Sequence, residues 1–310
     1  MKTNAKTIVT VITLVVLLMT CVAGCGNDRT PESMREAAAG YLLEQVAEPG
    51  VGSIGGDWTV TGLARGNAEV PQGYYETYYD NVRVTVKEKD GVLDERRYTE
   101  YARVAIALNA IGKDPTAVEG CNLLKNLDNA KAVEAQGING PIWALIAAGV
   151  CGYELKNEQR YLQAILDAEL AEGGFSLIEE EEASPDLSGM ALQALSFYPG
   201  NEEAAKTVER TVKTLAGMQR EDGDFDNSSE TVSQVILGLT AAGIDPLQDS
   251  RFIKDEKTLF DVLAAYSGSD GGFCHEKDGK TDLMATEQAM CALDALLLQE
   301  DGSAFYECSK

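Results

Sequence analysis

Apolar and polar positions along this chain follow two patterns that alternate. In the first, five Ala-rich stretches are apolar on nearly all sides and centre on a leucine: Ala105–Leu108, Ile142–Leu145, Met190–Leu192, Leu237–Leu239 and Cys291–Leu293. The central leucines lie 37, 47, 47 and 54 residues apart. A more divergent sixth copy runs from Trp58 to Leu63. Helices that are apolar all round are buried ones. In the second pattern, Ala205, Val208, Val212, Leu215 and Met218 recur at three- and four-residue steps with charges between them. That spacing predicts a one-sided amphipathic helix over 203–218, and residues 158–170 and 256–266 read similarly. Gly112-Lys-Asp-Pro115 and Gly243-Ile-Asp-Pro246 are helix stops. The chain is therefore predicted to be all-α, with about twelve helices in six hairpins, each a buried helix beside a half-exposed one.

A repeat of this period implies a solenoid or a closed ring. A third signal accompanies it. Ala171-Glu-Gly-Gly-Phe175, Gln219-Arg-Glu-Asp-Gly-Asp-Phe225 and Ser269-Asp-Gly-Gly-Phe273 place a tight turn before a phenylalanine, with the three aromatics 50 and 48 residues apart. The form Q-x-x-D-G-x-F followed by an Ala-rich helix resembles the repeat of the prenyltransferase and squalene/hopene cyclase superfamily. The resemblance covers residues 33–305. Segments such as Gln136–Trp143 and Met284–Gln288 look like clostridial-type surface proteins that carry this repeat. It implies an α6/α6 toroid around a central cavity, with residues 33–310 as one toroid domain.

The N-terminus is different in kind. Lys2 and Lys6 precede an apolar run from Ile8 to Met19 that ends in Val22-Ala23-Gly24-Cys25. A basic start and an apolar run of that length describe a signal peptide over residues 1–24, too short for a spanning helix. The last four residues resemble the lipobox of bacterial lipoproteins. That implies lipidation of Cys25, a polar tether over 25–32, and an exported protein anchored to the outer face of the cell membrane. Without residues 1–24, 24 bases remain against 50 acids. Such a surface repels nucleic acid and anionic headgroups, so membrane attachment is expected through the lipid alone. Cys121, Cys151, Cys274, Cys291 and Cys308 are odd in number, irregularly spaced and without a C-x-x-C pair, and sequence does not assign any pairing.

The chemistry that the resemblance brings to mind lacks its residues here. Hopene-type cyclases use a D-x-D-D acid. The nearest segment, Asp222-Gly-Asp224-Phe-Asp226, lacks the terminal Asp pair and lies in a repeat turn. Protein prenyltransferases hold zinc with an Asp, a Cys two residues later and a distant His. Asp282 occupies the Asp position, but Met284 stands at the Cys position and the lone His275 sits in the same loop. No P-loop, dinucleotide fingerprint or nucleophile elbow is present. An EF-hand is excluded at Asp222–Asp226, though an irregular calcium site is left open. No catalytic residue, metal or cofactor is therefore assigned.

What is expected instead is a polar rim. The buried helices should start near Trp58, Glu100, Asn139, Asp186, Glu230 and Asp282, and in a closed ring those starts surround one mouth. Asp, Asn and Glu there cap helices and suit the dipole. They also frame a pocket expected to hold Trp58, Trp143 and neighbouring tyrosines. Three functions stay open: a non-catalytic binder of a small molecule, glycan or protein; an enzyme of prenyl-type or carbohydrate-active kind; and a scaffold for another envelope protein. Cobalamin carriers of the intrinsic-factor type use a similar toroid, but no added β-domain follows Ala304.

Overall fold

The computed structural model describes residues 29–177 and 182–307. Cys25, the signal-like segment and Cys308 lie outside them. Twelve α-helices alternate between two rings. The inner ring consists of α2 (Trp58–Arg65), α4 (Thr99–Ala110), α6 (Asn139–Cys151), α8 (Pro185–Leu195), α10 (Ser229–Ala241) and α12 (Leu283–Glu300). The outer ring consists of α1 (Pro31–Gln45), α3 (Tyr74–Glu88), α5 (Ala130–Glu134), α7 (Glu158–Asp167), α9 (Glu202–Met218) and α11 (Leu259–Ala264). Each inner helix packs on the next, and α12 returns to pack on α2 and α1. The ring is closed: the fold is an α/α toroid. None of these helices is long and apolar enough to cross a membrane.

The Leu-centred stretches became the inner helices because only a helix surrounded by others buries apolar side chains all round. In α6, Gly140 to Ala148 is buried without a break. Two glycines let α8 and α10 approach closely. A Cβ at Gly189 of α8 would lie 2.3 Å from the Gln234 carbonyl of α10, and one at Gly238 would lie 2.5 Å from the Gly189 carbonyl. The outer helices differ from expectation in detail. In α9 the buried face is Ala204, Thr207, Thr211, Val212 and Leu215, whereas Ala205 is exposed. Two threonines displace the face because Thr207 Oγ1 donates to the half-buried Glu169 carboxylate at 2.8 Å. The third outer element is a short 3₁₀ turn over Leu124–Asp128 followed by α5. One two-residue hairpin, Phe273–Cys274 against Thr281–Asp282, interrupts the helices. The first helix already begins at Pro31, capped by Thr30 in a reciprocal capping box with Ser33, so the end of the expected tether is helical.

The three Gly-Phe turns have one geometry. Gly173, Gly223 and Gly271 have φ of 89°, 88° and 89°, a left-handed conformation that glycine adopts without strain. Phe175, Phe225 and Phe273 are all buried. In the first and third turns the Phe N–H donates to the fourth residue of the following inner helix, Ser188 Oγ at 3.0 Å and Thr286 Oγ1 at 2.8 Å. In the second, that position is Val232, which has no acceptor. Asp224 takes over: its Oδ1 accepts from Phe225 N at 2.7 Å, and its Oδ2 meets Tyr266 OH at 2.6 Å and Lys277 Nζ at 2.5 Å. Asp222 is paired with Arg220 at 2.8 Å. The Asp-rich turn is thus a structural substitute for a hydroxyl, with two of its carboxylates already engaged by cations. Asp224→Ala is expected to cost on the order of 3 kcal/mol in a urea titration, because it orphans a buried N–H and a phenol together. Asp224→Asn, which keeps the acceptor for Phe225 N–H, should cost less.

Closure depends on polar contacts as well as packing. Glu287 of α12 accepts through Oε1 from Gly55 N at 2.9 Å and from Thr59 Oγ1. Asp294 of α12 lies against Gly66, where a Cβ would meet its carboxylate oxygen. Arg35 of α1 donates to the Gly66 carbonyl from the other side. Arg65 Nη1 donates to the Glu307 carbonyl at 2.8 Å.

Candidate functional site

The inner helices begin where the sequence placed them, at residues 58, 99, 139, 185, 229 and 283, so their N-termini surround one mouth. Asp282 is the N-cap of α12 and accepts from Ala285 N at 2.8 Å. Asp186 and Glu230 occupy the second position of their helices, with Ser184 and Ser228 as the caps. Glu230 Oε2 also faces His275 Nδ1 at 2.8 Å, which raises the imidazole pKa above its ordinary value. The carbonyl of His275 in turn accepts from Ser229 N at 3.0 Å. Met284, two residues beyond Asp282, is exposed. Among the described residues, no three His, Cys, Asp or Glu side chains converge as a metal site. Among the described residues, Cys121, Cys151, Cys274 and Cys291 form no disulfide with one another.

The expected pocket around the tryptophans differs from the observed lumen. Trp58 and Trp143 belong to α2 and α6, which are not neighbours in the ring, yet their ring centroids are 5.2 Å apart. They meet across the interior and fill it. The space left beside Trp58, Gln234, Gln288, Cys291 and Tyr306 is about 10 Å³, room for one water molecule at most. The inner helices are short and close-set, so large side chains from one wall reach the other. Trp58 and Trp143 thus meet across the lumen, and Trp58 lines the small space left there.

Larger spaces open on the surface, one of them at the rim. A cleft of about 630 Å³ lies between the first two hairpins, walled by the loop Gly50–Ser53, by Asn81, Val84 and Thr85 of α3, and by Asp94, Arg97 and Glu100 at the start of α4. Of the expected rim residues, Glu100 alone lines it. Asp94 accepts backbone N–H bonds from Arg97 and Arg96, both at 2.8 Å, which lowers its pKa to about 2. It therefore stays charged and fixes the Arg97 guanidinium at 3.1 Å. Arg97 remains largely exposed over the cleft, while the Asn81 amide donates to the Pro49 carbonyl at 2.9 Å and ties α3 to the loop.

Behind this cleft is a buried network that the sequence pattern did not reveal. Glu100 pairs with Arg103, whose Nε reaches Asp57 Oδ2 at 3.3 Å. Asp57 Oδ1 accepts from Tyr78 OH at 2.8 Å and Gly52 N at 3.3 Å. Asp57 is wholly buried; desolvation pushes its pKa up to about 6 despite Arg103. Glu287, one hairpin away at the seam, is pushed up by burial to about 7, although Thr59 and the backbone of Gly55 favour its charged form. Asp294 is raised well above its ordinary value for the same reason, and neither of its oxygens has a hydrogen-bond partner among the described residues. The available signal was a lone charge inside an apolar helix: Arg103 in Tyr101–Leu108 and Asp294 in Cys291–Leu298. Such residues are rarely buried unless paired.

By sequence the chain matches no family model and no curated protein. By structure it is similar to the unsaturated glucuronyl hydrolase of Bacillus sp. GL1, an enzyme of glycosaminoglycan degradation, with TM-score 0.59, 14% identity, and 89% of this chain covering 98% of that one. It is also similar to the Candida albicans protein geranylgeranyltransferase-I, with TM-score 0.58, 12% identity, and 89% of this chain covering 96% of that one. At such identities the likeness is one of fold, and it places this chain among the α/α toroids.

Proposed function

We propose that this protein is a non-catalytic surface lipoprotein that holds its ligand in the rim cleft between the first two hairpins. The observation that carries this is the contrast between a filled lumen and an open, mixed-charge cleft of about 630 Å³. A general acid must come within about 2.6–3.2 Å of the atom it protonates. Asp57 and Glu287, the two carboxylates with pKa values near neutrality, are enclosed by the ring and face no solvent. They serve closure. The cleft presents what a polar ligand needs: a fixed but exposed guanidinium, carboxylates at Asp94 and Glu100, and the backbone of a glycine-rich loop. Apolar Val84 beside them suits the face of a sugar or another small ring. A glycan or small polar molecule fits this surface better than an isoprenoid, which requires an enclosed apolar tunnel.

Attachment is part of the same reading. The lipobox-like end at Cys25 would hold the ring close to the membrane, since a tether of a few residues spans only about 3.5 Å per residue. Native mass spectrometry of protein from its own cells tests both halves. The expected spectrum shows an N-terminus at Cys25 carrying added lipid mass, plus a noncovalent ligand that is lost in the double variant Arg97→Ala, Asn81→Ala. An unmodified N-terminus contradicts the anchor. A retained ligand indifferent to those substitutions contradicts the cleft.

A further inference from the structure

The side chain that closes the lumen does not come from the ring. After α12 ends at Glu300, Gly302 turns the chain with φ 76°, and residues 303–307 fold back under the inner helices. Phe305 and Tyr306, with ring centroids 4.9 Å apart, are buried to 4% and 5% exposure. Tyr306 reaches the same residual space as Trp58, Gln234, Leu237, Gln288 and Cys291. One end of the lumen is thus closed by the Trp58–Trp143 contact between inner helices, the other by a phenol delivered from a terminal segment.

That segment is lightly attached. Ser303 N to the Leu298 carbonyl at 2.9 Å and Glu307 N to the Ala304 carbonyl at 3.0 Å are local turns. Among the described residues, Arg65 Nη1 donates to the Glu307 carbonyl, in an exposed setting, and ties the segment to α2. Tail retention rests chiefly on burial of two aromatic rings, a hold that a soluble ring can replace.

The site beneath has the polarity of a phenol. Trp58, Leu237 and Cys291 give apolar walls. A ladder of amides runs along one side: Gln193 Nε2 donates to Gln234 Oε1 at 2.9 Å, and Gln234 Nε2 to Gln288 Oε1 at 2.7 Å. The ladder ends on the Gln288 side chain, which lines the residual space with its amide donor to spare, and Gln193 Oε1 is buried without a partner among the described residues. A directional chain of amides ending on a donor suits an oxygen-bearing ring.

We infer that the C-terminal segment is a displaceable stopper, and that the lumen is a second binding site for a small hydroxylated aromatic molecule that takes the place of Tyr306. This site does not depend on the rim cleft. Because only the tail-released fraction binds, the affinity of the full chain is reduced by the cost of release.

The probe is p-cresol, the Tyr side chain itself, with toluene as the control lacking the hydroxyl. Calorimetry is run on the full chain, on Tyr306→Ala and on a chain ending at Ser303. The expected result is p-cresol binding to both variants at least about tenfold tighter than to the full chain, and tighter than toluene, with the preference lost in Gln288→Leu. In the full chain, p-cresol should speed hydrogen exchange of the amides of residues 303–307. A folded Tyr306→Ala protein that binds p-cresol no better than the full chain overturns the inference. So does loss of the cooperative transition in Tyr306→Ala, which would make the tail a fixed part of the fold. Both results leave the cleft reading untouched.

Discussion

A chain cut after Asp282 is expected to lose its cooperative urea transition altogether. In an open solenoid each hairpin contacts only its neighbours, so removing the last one frays one end. Here α12 packs on α10, α2 and α1. Its loss exposes Val60 and Leu63 of the first inner helix, leaves Gly55 and Thr59 without the Glu287 acceptor, and leaves Arg35 without the neighbouring Asp294 carboxyl. Damage therefore reaches hairpins more than 200 residues away in sequence. Circular dichroism during the titration checks this. A truncated chain with a sharp transition and little loss of helix would show that the first and last hairpins are independent.

Stability should also rise as the medium is acidified from pH 8 to pH 5. For Glu287 and Asp57 the folded pKa values, about 7 and about 6, lie above the unfolded ones. Between the unfolded and folded values the native state binds the extra proton, so stability falls as pH rises through that window. A tenfold difference in proton affinity between the folded and unfolded chain corresponds to about 1.4 kcal/mol, which makes Glu287 worth on the order of 3 kcal/mol between its unfolded value and pH 8. For a domain of this size that is roughly 5–10 °C in melting temperature. Asp94 and Asp222, lowered to about 2 by backbone bonds and Arg220 respectively, titrate below this window. The exposed His275, raised by Glu230, acts in the same direction as the seam. Glu287→Gln isolates the seam carboxylate. The amide oxygen keeps the bonds from Gly55 and Thr59, and the group carries no charge to desolvate. The variant should melt above the parent at pH 8, match it near pH 5, and show a flatter dependence between. A variant that follows the parent at every pH would assign the effect to the other raised groups, Asp57, Asp294 and His275, or to the general acidic surface.

Much of the ring was legible because its signals are periodic. Buried helices betray themselves by apolar residues on every side, and Leu108, Leu145, Leu192, Leu239 and Leu293 all lie in inner helices. The starts of those helices were readable from their capping residues, to within a residue or two. Depth within the ring was not readable. Trp58 and Trp143 were expected to line a cavity, but no sequence distance states that α2 and α6 are close enough for the rings to touch. The amphipathic face of α9 was displaced because threonines count as polar in a pattern, whereas a buried hydroxyl donating to Glu169 is at home in a core. Arg103, Asp57 and Glu287 act as a set only once three separate hairpins are brought to one mouth. The cleft, formed by a loop, an outer helix and the start of an inner one, has no contiguous signature at all.

Hydrogen exchange tests the central proposal, ligand binding in the rim cleft, most directly. Protein purified natively from its own cells is compared with the same protein unfolded, stripped of bound molecules and refolded. The cleft reading predicts extra protection in the native sample concentrated at residues 50–53, 81–89 and 93–100, the walls of the 630 Å³ space, with the exposed outer face of α9 unchanged. Protection centred on the outer face, or on residues 234–241 and 288–296 around the lumen with the cleft unaffected, would contradict it.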